Sequence, residues 1–234
     1  MVLKSTIVLG TDKFQQVGSA SLITSNVALT AAHILADIDR DALIVRAGEW
    51  DSQKDNEIFP VEERKVKRVI IHEGYDSQYN NNIALLIFNK PLELHKHIQP
   101  ICLPSPTVQY DRESCLTSGW GKKNYDDKQH MHLMKRVELP MVDHDKCERA
   151  FKSTRLGPKF SLHKSYVCAG GEEGVDTCTG DGGSPLMCPG PDNLYYQIGI
   201  VAWGIGCGQK DIPGAYTNVV MFADWIHKNV EAVE

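Results

Sequence analysis

The sequence has no long hydrophobic run. Nowhere in its 234 residues do apolar side chains continue for the roughly 18 positions that a membrane-spanning helix needs. The first ten residues contain only short apolar runs, so we expect no signal peptide within this chain. A long block of lysine and arginine is also lacking, and the formal net charge is -5. This charge argues against nucleic acid or heparin as the main partner.

Internal repeats, low-complexity tracts and Cys-x-x-Cys pairs are lacking as well. The seven cysteines therefore favour disulfides over a zinc site, and disulfides belong to an oxidising compartment. An odd count leaves one thiol that is free or pairs outside these residues. Because such a chain needs export, we expect the natural product to begin upstream of Met1. The length and the 42% hydrophobic content suit one structural domain over residues 1–234.

Short runs of β-branched and apolar residues, separated by turns, dominate the first part of the chain. They predict strands at 2–9, 17–23, 27–29, 43–47, 66–71 and 83–88, which is typical of an all-β sandwich or barrel. Two helices are also predicted. Asp143 is a candidate N-cap for a helix that ends at Lys152, and an apolar stripe marks a C-terminal helix at Phe222, Trp225, Ile226 and Val230.

A glycine-rich stretch, Gly180-Asp181-Gly182-Gly183-Ser184-Pro185, has two interpretations. One is an ordinary glycine-rich turn. The other is a nucleophile loop of the Gly-Asp-Ser-Gly-Gly-Pro type, which presents a hydroxyl beside main-chain N–H groups that stabilise an oxyanion. In that interpretation the hydroxyl is missing, because Gly182 has no side chain. Ser184 lies two residues further on, up to roughly 7 Å along an extended chain, and does not replace it.

Three positions occur in the order of a catalytic triad: His33 in Leu-Thr-Ala-Ala-His, Asn82 in Asn-Ile-Ala-Leu-Leu, and Gly182. On these residues, and on the landmarks Thr117-Ser118-Gly119-Trp120-Gly121 and Ala202-Trp203-Gly204, the chain resembles the chymotrypsin-like serine proteases from about Phe14 to Ile226. The resemblance implies two six-stranded antiparallel β-barrels, as in trypsin, with a C-terminal helix.

The resemblance places an aspartate at Asn82 and a serine at Gly182. In the family the change from that aspartate to asparagine lowers turnover by about 10⁴, because the histidine takes the wrong tautomer. Losing the nucleophile of a related triad costs about 10⁶. We therefore expect a catalytically inactive protein, in which His33 is a partly buried histidine hydrogen-bonded near Asn82.

The resemblance also places Asp176 at the floor of a trypsin-like specificity pocket, with walls from residues 202–204, including Trp203 and Gly204, and from Gly214. The carboxylate either pairs with an arginine or lysine side chain of a partner or is an acid without a ligand.

In the family the residue at Asp181 pairs with an amine released by chain cleavage. Ile7-Val8-Leu9-Gly10 resembles such a terminus, but too few residues separate it from His33 to form the strands that the family has between these two points. We therefore expect Ile7 inside the first strand. Asp181 would then lack an amine partner and the oxyanion hole would be unformed. Both Asn82 and this missing amine predict that Gly182→Ser alone does not restore hydrolysis.

The cysteines are assigned by the same resemblance. It implies the pairs Cys115 with Cys188, Cys147 with Cys168, and Cys178 with Cys207. Cys102 is the unpaired thiol, which in family members often tethers an N-terminal light chain or regulatory domain. The family has a further disulfide beside the histidine, but this chain has neither of its cysteines, because the two positions are Gly18 and Ile34.

A narrower resemblance rests on the glycine at 182 and on three segments: 46–51 (Arg-Ala-Gly-Glu-Trp-Asp), 155–157 (Arg-Leu-Gly) and 199–208. These look like arthropod clip-domain serine protease homologues, masquerade-like proteins and prophenoloxidase-activating cofactors. The resemblance implies secretion into haemolymph and a non-proteolytic role as a cofactor or regulator in melanisation and innate immunity. Its expected partners are proteases and zymogens such as prophenoloxidase, and an upstream clip domain is usual. Those homologues usually keep the aspartate that is Asn82 here.

Two rival functions stay open. One is an active trypsin-like endopeptidase with an unconventional nucleophile, which covalent labelling of Ser184 by a phosphonate would favour. The other is a glycan-binding or surface-binding protein on an inactive protease scaffold, which salt-sensitive retention on heparin would favour. The oligomeric state is open as well.

No cofactor is expected. An acidic cluster where some family members bind calcium is either a calcium loop or a solvated acidic loop; its members are Asp51, Asp55, Glu57, Glu62 and Glu63. The histidine pairs at 95 and 97 and at 130 and 132 lack matching ligands and suit exposed loops better than zinc.

Overall fold

The computed structural model describes residues 6–11, 15–36, 38–54 and 57–233. Six antiparallel strands form a closed barrel in the order β1, β2, β3, β6, β5, β4. Their bounds are β1 Thr6–Gly10, β2 Gln16–Thr24, β3 Val27–Thr30, β4 Ile44–Ala47, β5 Glu62–Ile71 and β6 Ala84–Phe88. The barrel is filled by fully buried side chains such as Ile7, Leu9, Leu22, Leu43 and Phe88.

The second half of the chain forms an antiparallel sheet of seven strands in the order β8, β7, β11, β12, β13, β10, β9. Their bounds are β7 Leu116–Gly119, β8 Lys135–Glu138, β9 Met141–Val142, β10 Tyr166–Ala169, β11 Pro185–Pro189, β12 Tyr195–Trp203 and β13 Gly214–Asn218. The edge strands β8 and β9 are separated by only Leu139 and Pro140. Leu139 donates to the carbonyl of Cys115, and the carbonyl of Pro140 accepts from Gly170. Segment 135–142 therefore joins the two edges of the sheet.

Two α-helices follow the predictions. α1 (His144–Lys152) is capped by Asp143, whose carboxylate accepts a hydrogen bond from the main chain of Asp145. α2 (Ala223–Glu231) follows a 3-10 turn, Val219–Phe222. Phe222 and Ile226 pack into a core cluster with Leu29 and Leu85 of the first barrel and Ile200 of the second sheet. Neither α-helix in the described part of the chain is long and apolar enough to span a bilayer.

Polar contacts also connect the two halves. The hydroxyl of Ser21 donates to the buried amide of Gln197 at 2.6 Å, and the hydroxyls of Thr6 and Ser118 are 2.7 Å apart. These groups are desolvated, so each needs the partner that the other half supplies.

The prediction of an all-β trypsin-like fold with a C-terminal helix is confirmed, and the first half forms the predicted six-stranded barrel. The second half differs from the predicted six-stranded barrel in being a seven-stranded sheet, because the short edge strand β9 adds to it. Residues 2–5 of the first predicted strand lie outside the described residues, and β1 continues to Gly10. Strand β5 begins at Glu62 instead of the predicted residue 66. The extension pairs with β4, and Arg46 of β4 forms an ion pair with Glu63 of β5. Cross-strand charge pairs of this kind let charged residues occupy a strand.

Candidate functional site

His33 and Asn82 meet in the cleft between the two halves. His33 lies in a 3-10 helix (Ala32–Leu35) directly after β3, and Asn82, 1% exposed, lies just before β6. The main-chain N–H of His33 donates to Oδ1 of Asn82 at 2.9 Å. Nδ2 of Asn82 is 2.8 Å from Nδ1 of His33. The carbonyl of Asn82 accepts from the hydroxyl of Thr217 at 2.8 Å, which anchors this residue to the second sheet.

The two contacts fix the tautomer of His33. Because Oδ1 of Asn82 faces a main-chain N–H, its amide NH₂ must face Nδ1 of the ring. An amide NH₂ only donates, so Nδ1 accepts and the proton of the neutral ring is on Nε2. Burial lowers the pKa of His33, which favours this neutral form. The nitrogen that faces position 182 therefore carries a proton and is unable to accept one.

Gly182 occupies the position beside His33 where a nucleophile would stand. A Cβ atom built on Gly182 would lie 3.3 Å from Nε2 of His33, so a side chain there would meet the ring. The carbonyl of Gly182 accepts from Ser19 of β2 at 3.0 Å, which connects this loop to the first barrel. Ser184 lies elsewhere: it is fully buried, and its hydroxyl has no hydrogen-bond partner among the described residues. The structure thus brings His33, Asn82 and Gly182 together and keeps Ser184 away.

Asp176 lies in a cleft of about 410 Å³ that also contains His33 and Gly182. Its Oδ1 accepts from the N–H of Thr177 at 2.8 Å, and Oδ2 accepts from that of Gly208 at 2.9 Å. Burial raises the pKa of this carboxyl to about 6. Near neutral pH the group is mostly ionised and lacks a cationic partner in the described structure, so it is suited to bind a cation from outside.

The walls of the cleft include Trp203, Gly204 and Gly214. A Cβ atom on Gly214 would lie 3.5 Å from Oδ1 of Asp176, so the glycine leaves the carboxylate uncovered. Trp203 packs against Phe151, with ring centroids 4.7 Å apart and the ring planes tilted by 35°, and also lines a neighbouring cavity of about 330 Å³. Sequence reasoning missed Tyr125, which lines the cleft from a long connection without any local signal.

One expectation about Asp181 is wrong. Ile7 does lie inside β1, fully buried and paired with Ala20. However, Asp181 does not lack an amine partner, because Nζ of Lys135 lies 2.5 Å from its Oδ2. Lys135 was missed because the contact joins residues 46 positions apart in the sequence.

The main-chain N–H groups of Gly180 and Gly182 have no hydrogen-bond partner among the described residues, and both residues line the cleft. They are the donors that would form an oxyanion hole. An unformed oxyanion hole was expected because Asp181 was expected to lack an amine partner. Since Lys135 supplies that partner, this ground for the expectation is wrong.

Three disulfides join Cys115 to Cys188, Cys147 to Cys168, and Cys178 to Cys207, the pairs that the family resemblance implies. The third connects the loop that carries Asp176 to the loop that follows Trp203. Cys102 is free among the described cysteines, and burial raises the pKa of its thiol. Gly18 and Ile34, where the family has a further bridge, are neighbours: a Cβ atom built on Gly18 would lie 2.9 Å from Cδ1 of Ile34.

The acidic cluster does not converge on one point in the described structure. Glu63 pairs with Arg46 and Glu62 with Arg64, while Glu57 accepts from the main-chain N–H of Asp51. Asp55 lies outside the described residues. Among residues the structure describes, the only group of three candidate metal ligands is Glu62, Glu93 and His95. Its distances, 3.4 and 3.5 Å from the ring of His95 to the carboxylates, also suit exposed ion pairs.

The sequence is similar to known proteins over most of its length. A family model described as Trypsin matches residues 6–226. Inactive CLIP domain-containing serine protease A8 of Anopheles gambiae is 42% identical over 223 residues, which cover 94% of this chain and 61% of that protein. Phenoloxidase-activating factor 2 of Galleria mellonella is 44% identical over 219 residues, covering 92% of this chain and 72% of that protein. Protein masquerade of Drosophila melanogaster is 36% identical over 219 residues, covering 92% of this chain and 20% of that protein. The chain thus spans only part of each relative.

Proposed function

The chain belongs to the trypsin family, where its relatives include clip-domain protease homologues, and on that premise we propose that it is a catalytically inactive member that acts by binding. In this proposal the cleft receives a basic side chain of a protein partner. The protein then serves as a cofactor or regulator in an extracellular proteolytic cascade of innate immunity, such as melanisation.

The observation that carries the inactivity is the contact between Asn82 and His33. The amide donates to Nδ1, so Nε2 bears the proton and His33 is no base toward position 182. Gly182 in addition supplies no hydroxyl. Ser184 is no substitute nucleophile, because its hydroxyl is buried away from the cleft. Catalysis by acyl transfer thus lacks both its nucleophile and its base.

The observation that supports binding is the ionisable carboxylate in an open cleft. Asp176 is held by two main-chain N–H groups, which leave room for a guanidinium or ammonium group to approach. The neighbouring cavity beside Trp203 offers an apolar surface to the residues that flank the bound side chain. A substrate-like segment is therefore recognised but left intact.

The cascade is proposed from the relatives. One of the relatives described above is named an inactive CLIP domain-containing serine protease, and another is named a phenoloxidase-activating factor. By analogy the partner is a protease or a zymogen such as prophenoloxidase, in haemolymph. The three disulfides are consistent with this oxidising compartment.

The test combines hydrolysis with binding. The purified protein should leave an arginyl amide intact and should not be labelled by a serine-reactive phosphonate. It should bind benzamidine, which carries an arginine-like amidinium. Asp176→Asn should weaken this binding, whereas Asp145→Asn, whose side chain is 85% exposed in α1, should not. Turnover that one substitution in this chain abolishes, or a label on Ser184, would contradict the proposal.

A further inference from the structure

Asp181 is a buried carboxylate whose charge is balanced inside the chain. Its side chain is 1% exposed, and that of its partner Lys135 is 15% exposed. Oδ2 of Asp181 also accepts from the N–H of Cys178 at 2.9 Å, and Oδ1 accepts from Gly121 at 2.8 Å. Nζ of Lys135 donates to the carbonyl of Lys122 at 2.7 Å. Both oxygens and the ammonium group therefore have the partners that a buried ion pair requires.

The hairpin of β7 and β8 forms the socket for this carboxylate. Lys135, the first residue of β8, lies opposite Gly119, the last residue of β7. A Cβ atom on Gly119 would lie 2.4 Å from Oδ1 of Asp181, and one on Gly121 would lie 2.5 Å from its Cγ. Strand register thus brings the ammonium beside a space that only glycines leave open.

The ion pair is connected to the binding cleft through a short turn. The carboxylate of Asp181 accepts from the N–H of Cys178, and the N–H of Asp181 donates to the carbonyl of Cys178 at 2.9 Å. Cys178 in turn is bonded to Cys207 in the cleft wall. Gly180 and Gly182, whose N–H groups face no partner among the described residues, lie within or next to this turn. The contacts that fix Asp181 therefore also fix the turn at residues 178–182, which lines one side of the cleft.

We propose that Lys135 is a positioning residue that takes the place of a cleavage-generated amine, so that the uncleaved chain already has a cleft ready to bind a cationic side chain. Ile7 is unavailable for this task, since it is paired within β1 and fully buried. The inference rests on the proposed function, because it explains how the same cleft is kept in its binding form. It predicts that binding does not depend on proteolytic processing.

The first experiment measures benzamidine binding by calorimetry on the full chain, with intact mass confirming that it is uncleaved. Lys135→Met should weaken binding at least about tenfold, because the uncompensated carboxylate leaves its socket. Lys135→Arg, which keeps the charge, should retain most of the affinity. Lys152→Met is the matched control: Lys152 forms an equally short pair with Glu148 on α1, and its loss should leave the affinity unchanged.

The outcomes separate the two proposals. If the wild-type chain fails to bind benzamidine, the proposed function is overturned. If the wild-type chain binds and Lys135→Met binds equally well, only the role of Lys135 is overturned.

The second experiment asks whether an external ammonium group rescues the site. Lys135→Ala leaves space for propylammonium, which should restore benzamidine affinity, whereas propan-1-ol of the same size should not. Equal effects of the two additives, or no effect of either, would overturn the proposal. If the single variants do not fold, Lys135→Met with Asp181→Asn removes both buried charges. This double variant should fold and still bind weakly, and wild-type affinity in it would overturn the proposal.

Discussion

At the scale of single residues, one amide determines what His33 is able to do. Asn82 accepts the main-chain N–H of His33 through Oδ1 and donates to Nδ1 through Nδ2. A carboxylate in the same place would accept from both nitrogens, so the ring proton would be on Nδ1 and Nε2 would be free to accept a proton. The side chain of residue 82 carries nitrogen where an aspartate carries oxygen, and this one atom decides whether His33 is able to act as a base.

Restoring the triad residues at both 182 and 82 should restore hydrolysis, whereas restoring the serine at 182 alone should not. Gly182→Ser alone should remain inactive toward an arginyl amide, because Asn82 still holds His33 in the wrong tautomer. Gly182→Ser with Asn82→Asp should hydrolyse it roughly 10⁴-fold faster than Gly182→Ser, the factor known for this aspartate in the family. The pairing of Asp181 with Lys135 removes the second expected obstacle.

The control for this experiment is a third substitution. His33→Ala in the double variant should abolish the new activity, which would show that it depends on the rebuilt triad. Equal rates for Gly182→Ser with and without Asn82→Asp would contradict the argument from the tautomer.

At the scale of elements, two disulfides of similar loop length have different surroundings. Cys178–Cys207 encloses 29 positions and forms part of the cleft wall, whereas Cys147–Cys168 encloses 21 and joins α1 to β10. Loop entropy predicts nearly equal losses, about 2–4 kcal/mol, when either pair is replaced by alanines. Only the loss of the first pair should weaken benzamidine binding.

The measurement is chemical unfolding for stability and calorimetry for binding, on both double-alanine variants. Similar unfolding midpoints with a selective loss of binding would support a separate role of Cys178–Cys207 in shaping the cleft. Equal loss of binding in both variants would mean that the cleft depends on global stability alone.

Elements with local signals were predicted well. Asp143 is a strong N-cap, and α1 begins directly after it. The apolar stripe that includes Trp225 and Ile226 correctly predicted α2. Strand β5 begins earlier than its apolar run, because its charged first residues are stabilised by pairing with β4. Lys135 was not predicted, because its role depends on register with Gly119 and on a loop far along the chain. Sequence patterns report local periodicity, whereas such contacts depend on the assembled fold.

At the scale of the whole molecule, the cleft exists only because two halves meet. His33 and Asn82 lie beside strands β3 and β6 of the first barrel, while Asp176 and Gly182 lie in the connection between β10 and β11 of the second sheet. The order of His33, Asn82 and Gly182 in the sequence, together with the family resemblance, identified them as the triad positions. The hydrogen bonds from Ser19 to Gly182 and from Thr217 to Asn82, which connect the halves at the site, had no sequence signal.

Binding in this cleft should stabilise the whole fold in a pH-dependent manner. With the cleft empty, burial raises the pKa of Asp176 from 3.8 to about 6. The folded state therefore holds a proton that the unfolded state has released between these values, and this contribution to stability is lost as pH rises through 6. A bound amidinium pairs with the ionised carboxylate, so the ligand's contribution has the opposite sign: it is largest above pH 6 and declines below.

The expected magnitudes follow from mass action. Benzamidine at a hundred times its dissociation constant at pH 7.5 should add about 2.7 kcal/mol, which is roughly 5–10 °C in Tm for a chain of this size. At pH 5 only about a tenth of Asp176 is ionised, so the affinity falls about tenfold and the same concentration should give roughly half that shift. In Asp176→Asn the shift should be small at both pH values, and any residual dependence would report His33, which lines the same cleft. A wild-type shift that is as large at pH 5 as at pH 7.5 would show that Asp176 is not the counter-ion of the bound cation.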